Sequence, residues 1–246
     1  HTCGVNNVLS VANLQMLLGN MGVECGGVNP LRGQNNVQGA CDMGALPNIF
    51  PGYQKVVDPK AREKFAKAWG VKDLPDKVGM MMPDVMEGLT TGKIRAFYIF
   101  GENLANTEPD IHKVEHELSS AEFLVCQDLF QTETTRFAHV VLPAAAWSEN
   151  DGTYANSERR VSRVRTASPA PGMAMPNWWI FKEVARRMGH NWESSSAQEL
   201  WDNEISVLCP SFAGIKYNRL EGDGLQWPCP NTDHPGTCFL HQNGEF

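Results

Sequence analysis

Residues 94–143 have the sequence IRAFYIFGENLANTEPDIHKVEHELSSAEFLVCQDLFQTETTRFAHVVLP in one-letter code. Three short apolar runs, each ended by polar residues or proline, predict strands at 94–100, 123–126 and 140–142. Residues 109–119, between the first two runs, carry apolar side chains at helical spacing. A strand, helix, strand, turn and strand in this order are typical of a parallel α/β sheet. The continuous apolar strands further predict that both faces of the sheet are covered.

The residues that follow these three strands are candidates for a binding site. In parallel α/β sheets, ligands bind outside the carboxyl ends of the strands. Residues 101–103 and 127–128 are polar, whereas residues 143–146 are mostly small. A nucleotide-like ligand lying across this edge would meet all three segments. The alternative is that they are ordinary loop residues.

A second candidate site is the loop Asn29–Gly44, which has the sequence NPLRGQNNVQGACDMG. Amide side chains and glycines dominate it, and it has neither helical nor strand periodicity. Such a loop suits an extended polar ligand with anionic parts. Arg32 is its one arginine, and its rigid, always charged fork matches a carboxylate or phosphate. The alternative for Arg32 is a salt bridge that fixes the loop.

The remaining segments are predicted to be mostly helical or irregular. Helices are predicted at 6–21, 58–69, 83–88, 178–188 and 196–208. Residues 45–55 are expected to be irregular because of their prolines and Gly52.

No sheet pattern is evident after residue 147. The tail 209–246 is rich in Pro, Gly and aromatic residues and is expected to wrap peripherally around the rest. Met80, Met81 and Met82 are expected to fill gaps in the core.

Composition excludes several classes of protein. Hydrophobic residues make up 42% of the 246 residues and charged residues 20%, which is typical of a globular protein. The net charge of −7 argues against a general nucleic-acid binder, which would show a basic face. No apolar run approaches the roughly 18 to 20 residues that span a bilayer. The first residue is histidine, so we expect further chain upstream of it.

The seven cysteines have wide spacings and form no C-x-x-C pair, which excludes the usual zinc and iron–sulfur motifs within this chain. Free thiols in a reducing compartment are the simplest interpretation, and they favour the cytoplasm over the periplasm. A disulfide among Cys209, Cys229 and Cys238 is the alternative.

Other catalytic motifs are missing, and the remaining polar groups are ambiguous. There is no G-x-S-x-G, no P-loop, and no G-x-G-x-x-G after a strand. His139, just before the third strand, is expected to be structural. The arginine cluster Arg159–Arg165 would either clamp phosphates or form a solvated ion-pair face.

Residues 27–47 closely resemble the catalytic subunit of molybdenum- or tungsten-dependent formate dehydrogenases. The resemblance continues through segments that the wider molybdopterin oxidoreductase family shares, at 51–53, 58–71, 98–103, 127–130 and 140–153. It covers nearly the whole chain. The Arg-Gly-Gln-Asn-Asn-Val-Gln-Gly segment, residues 32–39, is its most specific part.

The resemblance implies the reversible oxidation of formate to CO₂. The implied cofactors are two molybdopterin guanine dinucleotides that hold Mo or W, with a cysteine or selenocysteine on the metal, and an N-terminal [4Fe-4S] cluster that passes electrons on. It makes Arg32 the active-site arginine, which would orient formate. The implied cofactor-binding residues are Gln34, Glu102, Asn103, Thr107, Gln127, Asp128 and Asn177. Formate dehydrogenases often have Asp at the position of Asn103, and the family often has Asp at the position of Asn177.

The chain also departs from a complete subunit of this kind. It carries no metal-ligating residue and no cluster motif, so we expect a central fragment of a longer subunit that works with iron–sulfur electron-transfer subunits. Residues 1–34 would end one molybdopterin-binding α/β domain, 35–147 would form a second, and 148–246 would be helical and loop segments packing on the cluster and pterin domains. The loop 29–44 would lie beside the strand ends as one wall of a dinucleotide cleft.

Two other functions fit the same fold. One is a different molybdopterin enzyme, such as a periplasmic nitrate reductase, and the other is a non-catalytic scaffold subunit of a respiratory complex. We expect the isolated 246 residues to be inactive, because the metal ligand lies outside them. The sequence does not decide whether the metal is Mo or W, whether its protein ligand is cysteine or selenocysteine, or what the electron acceptor is.

Overall fold

The structure, a computed structural model, describes residues 3–241. Its helices are α1 (Gly4–Leu17), α2 (Val37–Asp42), α3 (Pro59–Trp69), α4 (Met82–Thr90), α5 (Leu104–Thr107), α6 (Ile111–Ser119), α7 (Asn177–Arg187), α8 (Ala197–Leu200) and α9 (Ser206–Leu208). Its strands are β1 (Ile49–Phe50), β2 (Gln54–Lys55), β3 (Ala96–Phe100), β4 (Phe123–Asp128), β5 (Val140–Pro143), β6 (Gly152–Ala155), β7 (Arg160–Val164) and β8 (Leu225–Gln226). Short 3₁₀ turns and one π-helical turn, Trp201–Ile205, complete the secondary structure of the described residues.

The predicted parallel sheet is confirmed. Strands β3, β4 and β5 lie side by side in that order and run parallel, with Ala96 opposite Phe123 and Val125 opposite Val140. The central strand β4 is covered on both faces, as its buried Leu124 and Val125 show. The prediction of two covered faces is wrong for β5, where Val141 is 42% exposed within the described chain.

Helices α4, α5 and α6 cover one face of this sheet. Their apolar side chains form one core with the sheet residues, made up of Met86, Leu89, Ile99, Leu104, Ala105, Val114, Leu118, Ala121, Leu124 and Cys126. Helix α7 contributes Phe181, whose ring lies 5.7 Å from Tyr98 and 5.2 Å from Phe100, measured between centroids. The parallel sheet therefore holds its carboxyl-end residues on a rigid, packed support.

A second sheet follows residue 147, where only helices and loops were expected. Strands β6, β7 and β8 pair antiparallel, with Thr153 opposite Arg163 and Val161 opposite Leu225. Alternating polar and apolar residues in 152–164 carry this pattern, but the strands are too short for it to stand out. The last strand comes from the tail, more than 60 residues along the chain from β7, so pairing at this distance has no local sequence signal.

The first part of the tail belongs to the core of this second sheet. Its fully buried members are Cys209, Phe212, Ile215, Leu220 and Cys229, which pack with Val161 and Trp201. The prediction of a peripheral wrap is therefore wrong for residues 209–229. Residues 242–246 lie outside the described part of the chain. All seven cysteines are free, so the alternative of a disulfide in the tail is not supported.

Several predictions about helices, and the prediction about His139, are confirmed. Helix α3 begins after Asp58, whose carboxylate accepts a hydrogen bond from the Lys60 N–H, and ends at Gly70 in the left-handed conformation. The 196–208 helix forms with a π-helical turn in its middle. His139 is structural, as predicted, since its Nδ1 accepts a hydrogen bond from the Leu124 N–H.

Two predictions about apolar residues differ from the structure. Helix α1 forms, but it ends at Leu17 rather than near 21, and none of its residues is buried within the described chain. The methionines at 80–82 do not fill the core, because Met81 is 56% exposed and Met82 40% exposed.

Candidate functional site

The polar loop 29–44 is anchored to the second sheet. Asn36 adopts a left-handed conformation before α2, with φ 65°, and its Oδ1 accepts a hydrogen bond from the Ala155 N–H at 3.0 Å. Gly39 permits this approach, because a Cβ at that position would lie 1.9 Å from Asn36 Oδ1. The second half of the loop, expected to be irregular, is helix α2. The loop thus presents its first half, around Arg32, beside the β6–β7 hairpin.

Arg32 is exposed, and its guanidinium makes a single hydrogen bond within the described residues. One N–H donates to Gln38 Oε1 at 3.3 Å, and the backbone N–H of Arg32 donates to Ser157 Oγ at 3.4 Å. None of the ion pairs in the described part of the chain involves Arg32. The alternative of a loop-fixing salt bridge is therefore not what the structure forms, and the positive charge is available to an anion.

A buried hydrogen-bond network lies behind Arg32. Asp42, fully buried, accepts from Gln38 Nε2 at 2.7 Å, from the Tyr53 hydroxyl at 3.0 Å and from Trp227 Nε1 at 2.8 Å. Burial raises the pKa of Asp42, while the three hydrogen bonds and the charge of Arg32 act to lower it. Burial, together with the neighbouring Asp42 carboxylate, raises the pKa of Tyr53 to about 12. Sequence reasoning did not single out these partners, although Gln38 and Asp42 lie in the loop that it flagged.

Arg32 opens onto a cavity of about 280 Å³ between the loop and the β6–β7 hairpin. The cavity is lined by Arg32, Gln34, Asn35, Asn36, Val37, Gln38, Tyr154, Ala155, Asn156, Ser157, Arg160 and Ser162. Most of these side chains are amides, hydroxyls or guanidinium groups, which supply donors and acceptors to a polar, partly anionic ligand. Among the hairpin residues, Arg160 belongs to the arginine cluster that the sequence singled out, whereas Tyr154, Asn156, Ser157 and Ser162 were not predicted because their sheet was not.

The predicted residues after β3 form a hydrogen-bonded cluster at the carboxyl end of that strand. The Thr107 hydroxyl donates to Glu102 Oε1 at 2.7 Å. Asn103 Oδ1 accepts from the Thr134 hydroxyl at 2.7 Å and from its N–H at 3.2 Å, and Asn103 Nδ2 donates to Glu133 at 2.7 Å. Glu102 and Thr107 are exposed and accessible to a ligand, whereas the Asn103 amide is already engaged in holding the 133–134 turn.

The predicted residues after β4 are brought together with Asn177, from the start of α7. Gln127 is fully buried, and its amide donates to Asn177 Oδ1 at 2.8 Å and accepts from the Tyr98 hydroxyl. Asp128, half-buried at the strand end, accepts from the Leu129 N–H at 2.7 Å. The contact of Gln127 with Asn177, 50 residues apart, could not be read from the sequence.

The strand-end residues and the loop are held by separate networks. Within residues 3–241, no hydrogen bond joins 29–44 to 101–107 or to 127–128. The hydrogen bonds of the loop tie it to the β6–β7 hairpin and to Trp227, and its position beside the strand ends, as one wall of a cleft, stays a prediction.

The arginine cluster 159–165 is largely an ion-pair face, one of its two predicted alternatives. Arg163 and Arg165 both pair with Glu221, and Arg160 pairs with Glu158 at 2.8 Å. These pairs are partly exposed and contribute little to stability. Arg160 alone of the paired three also lines the cavity next to Arg32.

The described residues contain neither a metal-binding cluster nor a membrane-spanning helix. Over residues 3–241, no group of three or more His, Cys, Asp and Glu side chains is arranged to hold a metal ion. No helix in the same range is long and apolar enough to cross a membrane.

Comparison with known proteins assigns the fold and the specific loop to one family. The family model of molybdopterin oxidoreductases matches residues 1–187. The chain belongs to the molybdopterin oxidoreductase family. The parallel sheet and two of the three strands of the antiparallel sheet, β6 and β7, lie within the matched residues.

Several curated relatives of this chain are named formate dehydrogenases. The F420-dependent formate dehydrogenase 1 subunit alpha of Methanococcus maripaludis is 49% identical over 242 residues, which cover 98% of this chain and 35% of that protein. Formate dehydrogenase H of Escherichia coli is 42% identical over 240 residues, covering 96% and 33%. The chain thus spans about a third of the length of these relatives.

A solved structure supports the fold independently. Acetylene hydratase from Pelobacter acetylenicus matches with a TM-score of 0.51 at 21% identity, over 67% of this chain and 23% of that one. At this identity the match shows a common fold and carries no information about the reaction.

Proposed function

We propose that this chain is the central part of a formate dehydrogenase catalytic subunit, which interconverts formate and CO₂. One observation carries the proposal: Arg32 presents an unpaired guanidinium at a polar cavity, in the loop that most closely resembles these enzymes. The identity of 42% to 49% with proteins named formate dehydrogenase supports it.

Arg32 would bind and orient the substrate. Formate is a small planar monoanion, and a guanidinium holds such a carboxylate through two parallel N–H···O hydrogen bonds. At about 4 Å the attraction between the two charges is about 4 kcal/mol at an effective dielectric constant of 20. Oxidation removes this charge, because formate leaves as neutral CO₂ after losing a proton and two electrons. Arg32 therefore favours bound formate over the product and aids product release.

The residues around the cavity and the strand ends fit a molybdopterin cofactor. A pterin offers amide-like donors and acceptors, and its dinucleotide form adds phosphates and a base, which suit amides, hydroxyls and arginine. Gln34 would meet it from the loop, and Glu102, Thr107 and Asp128 from the strand ends. When bound, such a cofactor carries the Mo or W ion that accepts the electrons of formate.

Two of the predicted cofactor-binding residues, Gln127 and Asn103, would act by holding neighbouring residues in position. Gln127 is fully buried and fixes the half-buried Asn177 side chain at 2.8 Å, so Asn177 would be the ligand-facing member of that pair. Asn103 holds the turn at Thr134, which keeps the strand end in place, and its part in cofactor binding is through this turn. These roles refine the direct contacts expected from the sequence for Gln127 and Asn103.

The complete subunit would supply what this chain does not. The guanine dinucleotide form of the cofactor, the cysteine or selenocysteine ligand and the [4Fe-4S] cluster all belong to this proposal. The electrons would pass to iron–sulfur electron-transfer subunits. A cytoplasmic location is proposed from the seven free cysteines.

The test is to produce the full parent protein with its cofactor supply and to measure metal content and turnover. We expect stoichiometric Mo or W and formate-dependent reduction of a dye. Nitrate reduction without formate oxidation would instead establish a nitrate reductase-like enzyme. Absence of both metals from the purified protein would favour a non-catalytic scaffold and defeat both enzymatic functions.

A further inference from the structure

Gln38 is a buried amide whose oxygen faces a hydrogen-bond donor and whose NH₂ group faces hydrogen-bond acceptors. It is 7% exposed and lies on α2, four residues before Asp42 and thus on the same helix face. Its Oε1 accepts from the Arg32 guanidinium at 3.3 Å. Its Nε2 donates to Asp42 Oδ1 at 2.7 Å and to the Tyr53 hydroxyl at 3.0 Å. Every polar atom of this side chain is therefore committed.

Asp42 determines which way this amide points. An ionised carboxylate accepts hydrogen bonds and cannot donate them, so the NH₂ end of Gln38 must face it. The oxygen end is then left for Arg32. The far oxygen of Asp42 is held by Trp227 Nε1 at 2.8 Å, which fixes the carboxylate from the opposite side. The orientation is reinforced because a hydrogen bond to a carboxylate polarises the amide and strengthens its oxygen as an acceptor.

The arrangement restrains Arg32 without neutralising it. A carboxylate placed directly on the guanidinium would form an ion pair and occupy the fork that an anionic substrate needs. Here the negative charge of Asp42 lies behind Gln38, and the neutral amide of Gln38 contacts the guanidinium of Arg32. The guanidinium is oriented while its net charge stays available.

We propose that Gln38, oriented by Asp42, is a positioning residue for Arg32 and thereby sets the affinity of the site for a small carboxylate anion. The inference rests on the proposed function, in which Arg32 contacts formate. It adds a specific residue pair that holds the arginine in its binding orientation.

The experiment uses the metal-loaded parent enzyme and the variant Gln38→Met, which keeps the side-chain length and removes both polar ends. With rates normalised to metal content, the KM for formate should rise about three- to tenfold, as for the loss of one hydrogen bond of ordinary strength. Gln226→Met is the matched control, because Gln226 is also 7% exposed and hydrogen-bonded, but to Glu158. It should leave the KM within twofold.

A double-mutant cycle separates positioning from general damage. In an Arg32→Ala background, adding Gln38→Met should change kcat/KM less than twofold, since no guanidinium remains to be positioned. If Gln38→Met does not fold, Gln38→Asn replaces it; the shorter amide can still bond to Asp42 but is withdrawn from Arg32, and the same KM increase is expected.

Three results would overturn the inference. The first is an unchanged KM in the Gln38 variant that folds, when Arg32→Ala impairs formate turnover. The second is a loss of equal size with and without Arg32. In both cases formate oxidation by the parent stands, so the proposed function survives. A parent enzyme that holds metal and does not oxidise formate defeats the proposed function itself, and this inference with it.

Discussion

Replacing Asn103 with alanine should loosen the carboxyl end of β3. Its Oδ1 is the acceptor for both the N–H and the hydroxyl of Thr134, a residue that is 1% exposed and whose Oγ1 accepts from the Ala105 N–H. Losing two such hydrogen bonds, at about 1 to 1.5 kcal/mol each, costs about 2 to 3 kcal/mol of local stability. A loss of 2 kcal/mol raises the population of the open turn about thirtyfold.

Amide hydrogen exchange in the full catalytic subunit measures this opening directly. Exchange at Ala105 and Thr134 should be at least tenfold faster in Asn103→Ala. Asn103→Asp is the matched control: it keeps the acceptor oxygen for Thr134 and replaces the bond to Glu133 by repulsion between two carboxylates, from which the exposed Glu133 side chain can turn away. Its exchange should stay within threefold of the unmodified protein. Equal protection in the alanine variant, or an aspartate variant as open as alanine, would refute the role of this oxygen.

Three further predictions concern α2 and the cap of α3. Burial raises the pKa of Asp42, so the contribution of Asp42 to stability is present at low pH and is lost as the pH rises from the ordinary pKa of 3.8 through the pKa in the folded protein. Asp42→Asn should remove this pH-dependent contribution from the free energy of unfolding, measured with denaturant at a series of pH values. An unchanged pH profile in the variant would contradict the prediction. Gly39→Ala should displace Asn36 and leave the Ala155 N–H without its acceptor, at a cost of about 1 to 3 kcal/mol in thermal unfolding, and no shift in midpoint would refute the clash. Gly70→Ala, at φ 64° with open space around it, should cost only about 1 kcal/mol in the same assay, and a much larger loss would mean that the space is filled.

Local patterns predicted the parts of the fold that local physics decides. The three strands of the parallel sheet are apolar runs with breakers at both ends, and α3 has Asp58 and Gly70 at its two caps. The second sheet was not predictable in this way. Its strand β8 pairs with β7 across a long stretch of chain, and the two-residue length of β8 leaves no periodicity to detect.

The candidate site shows the same division. Arg32 and the amides around it are evident from composition and from the family resemblance. Their partners are not: Asp42 is joined to Trp227 across 185 residues, and Gln127 to Asn177 across 50. An amide that is buried makes its hydrogen bonds within the protein, whereas an exposed amide can bind a ligand. Which of the two applies is decided by the packing of segments that are distant in the sequence, so it could not be predicted from local patterns.

Formate oxidation by the metal-loaded parent enzyme carrying Arg32→Ala is the decisive measurement. Removing the charge that faces formate should lower kcat/KM at least about a hundredfold, at unchanged metal content. Arg95→Ala is the control, since Arg95 forms an exposed ion pair with Glu122 at 2.7 Å outside the site, and it should turn over formate normally. Normal formate turnover by Arg32→Ala would contradict the assignment of this loop as the formate-binding wall of the active site.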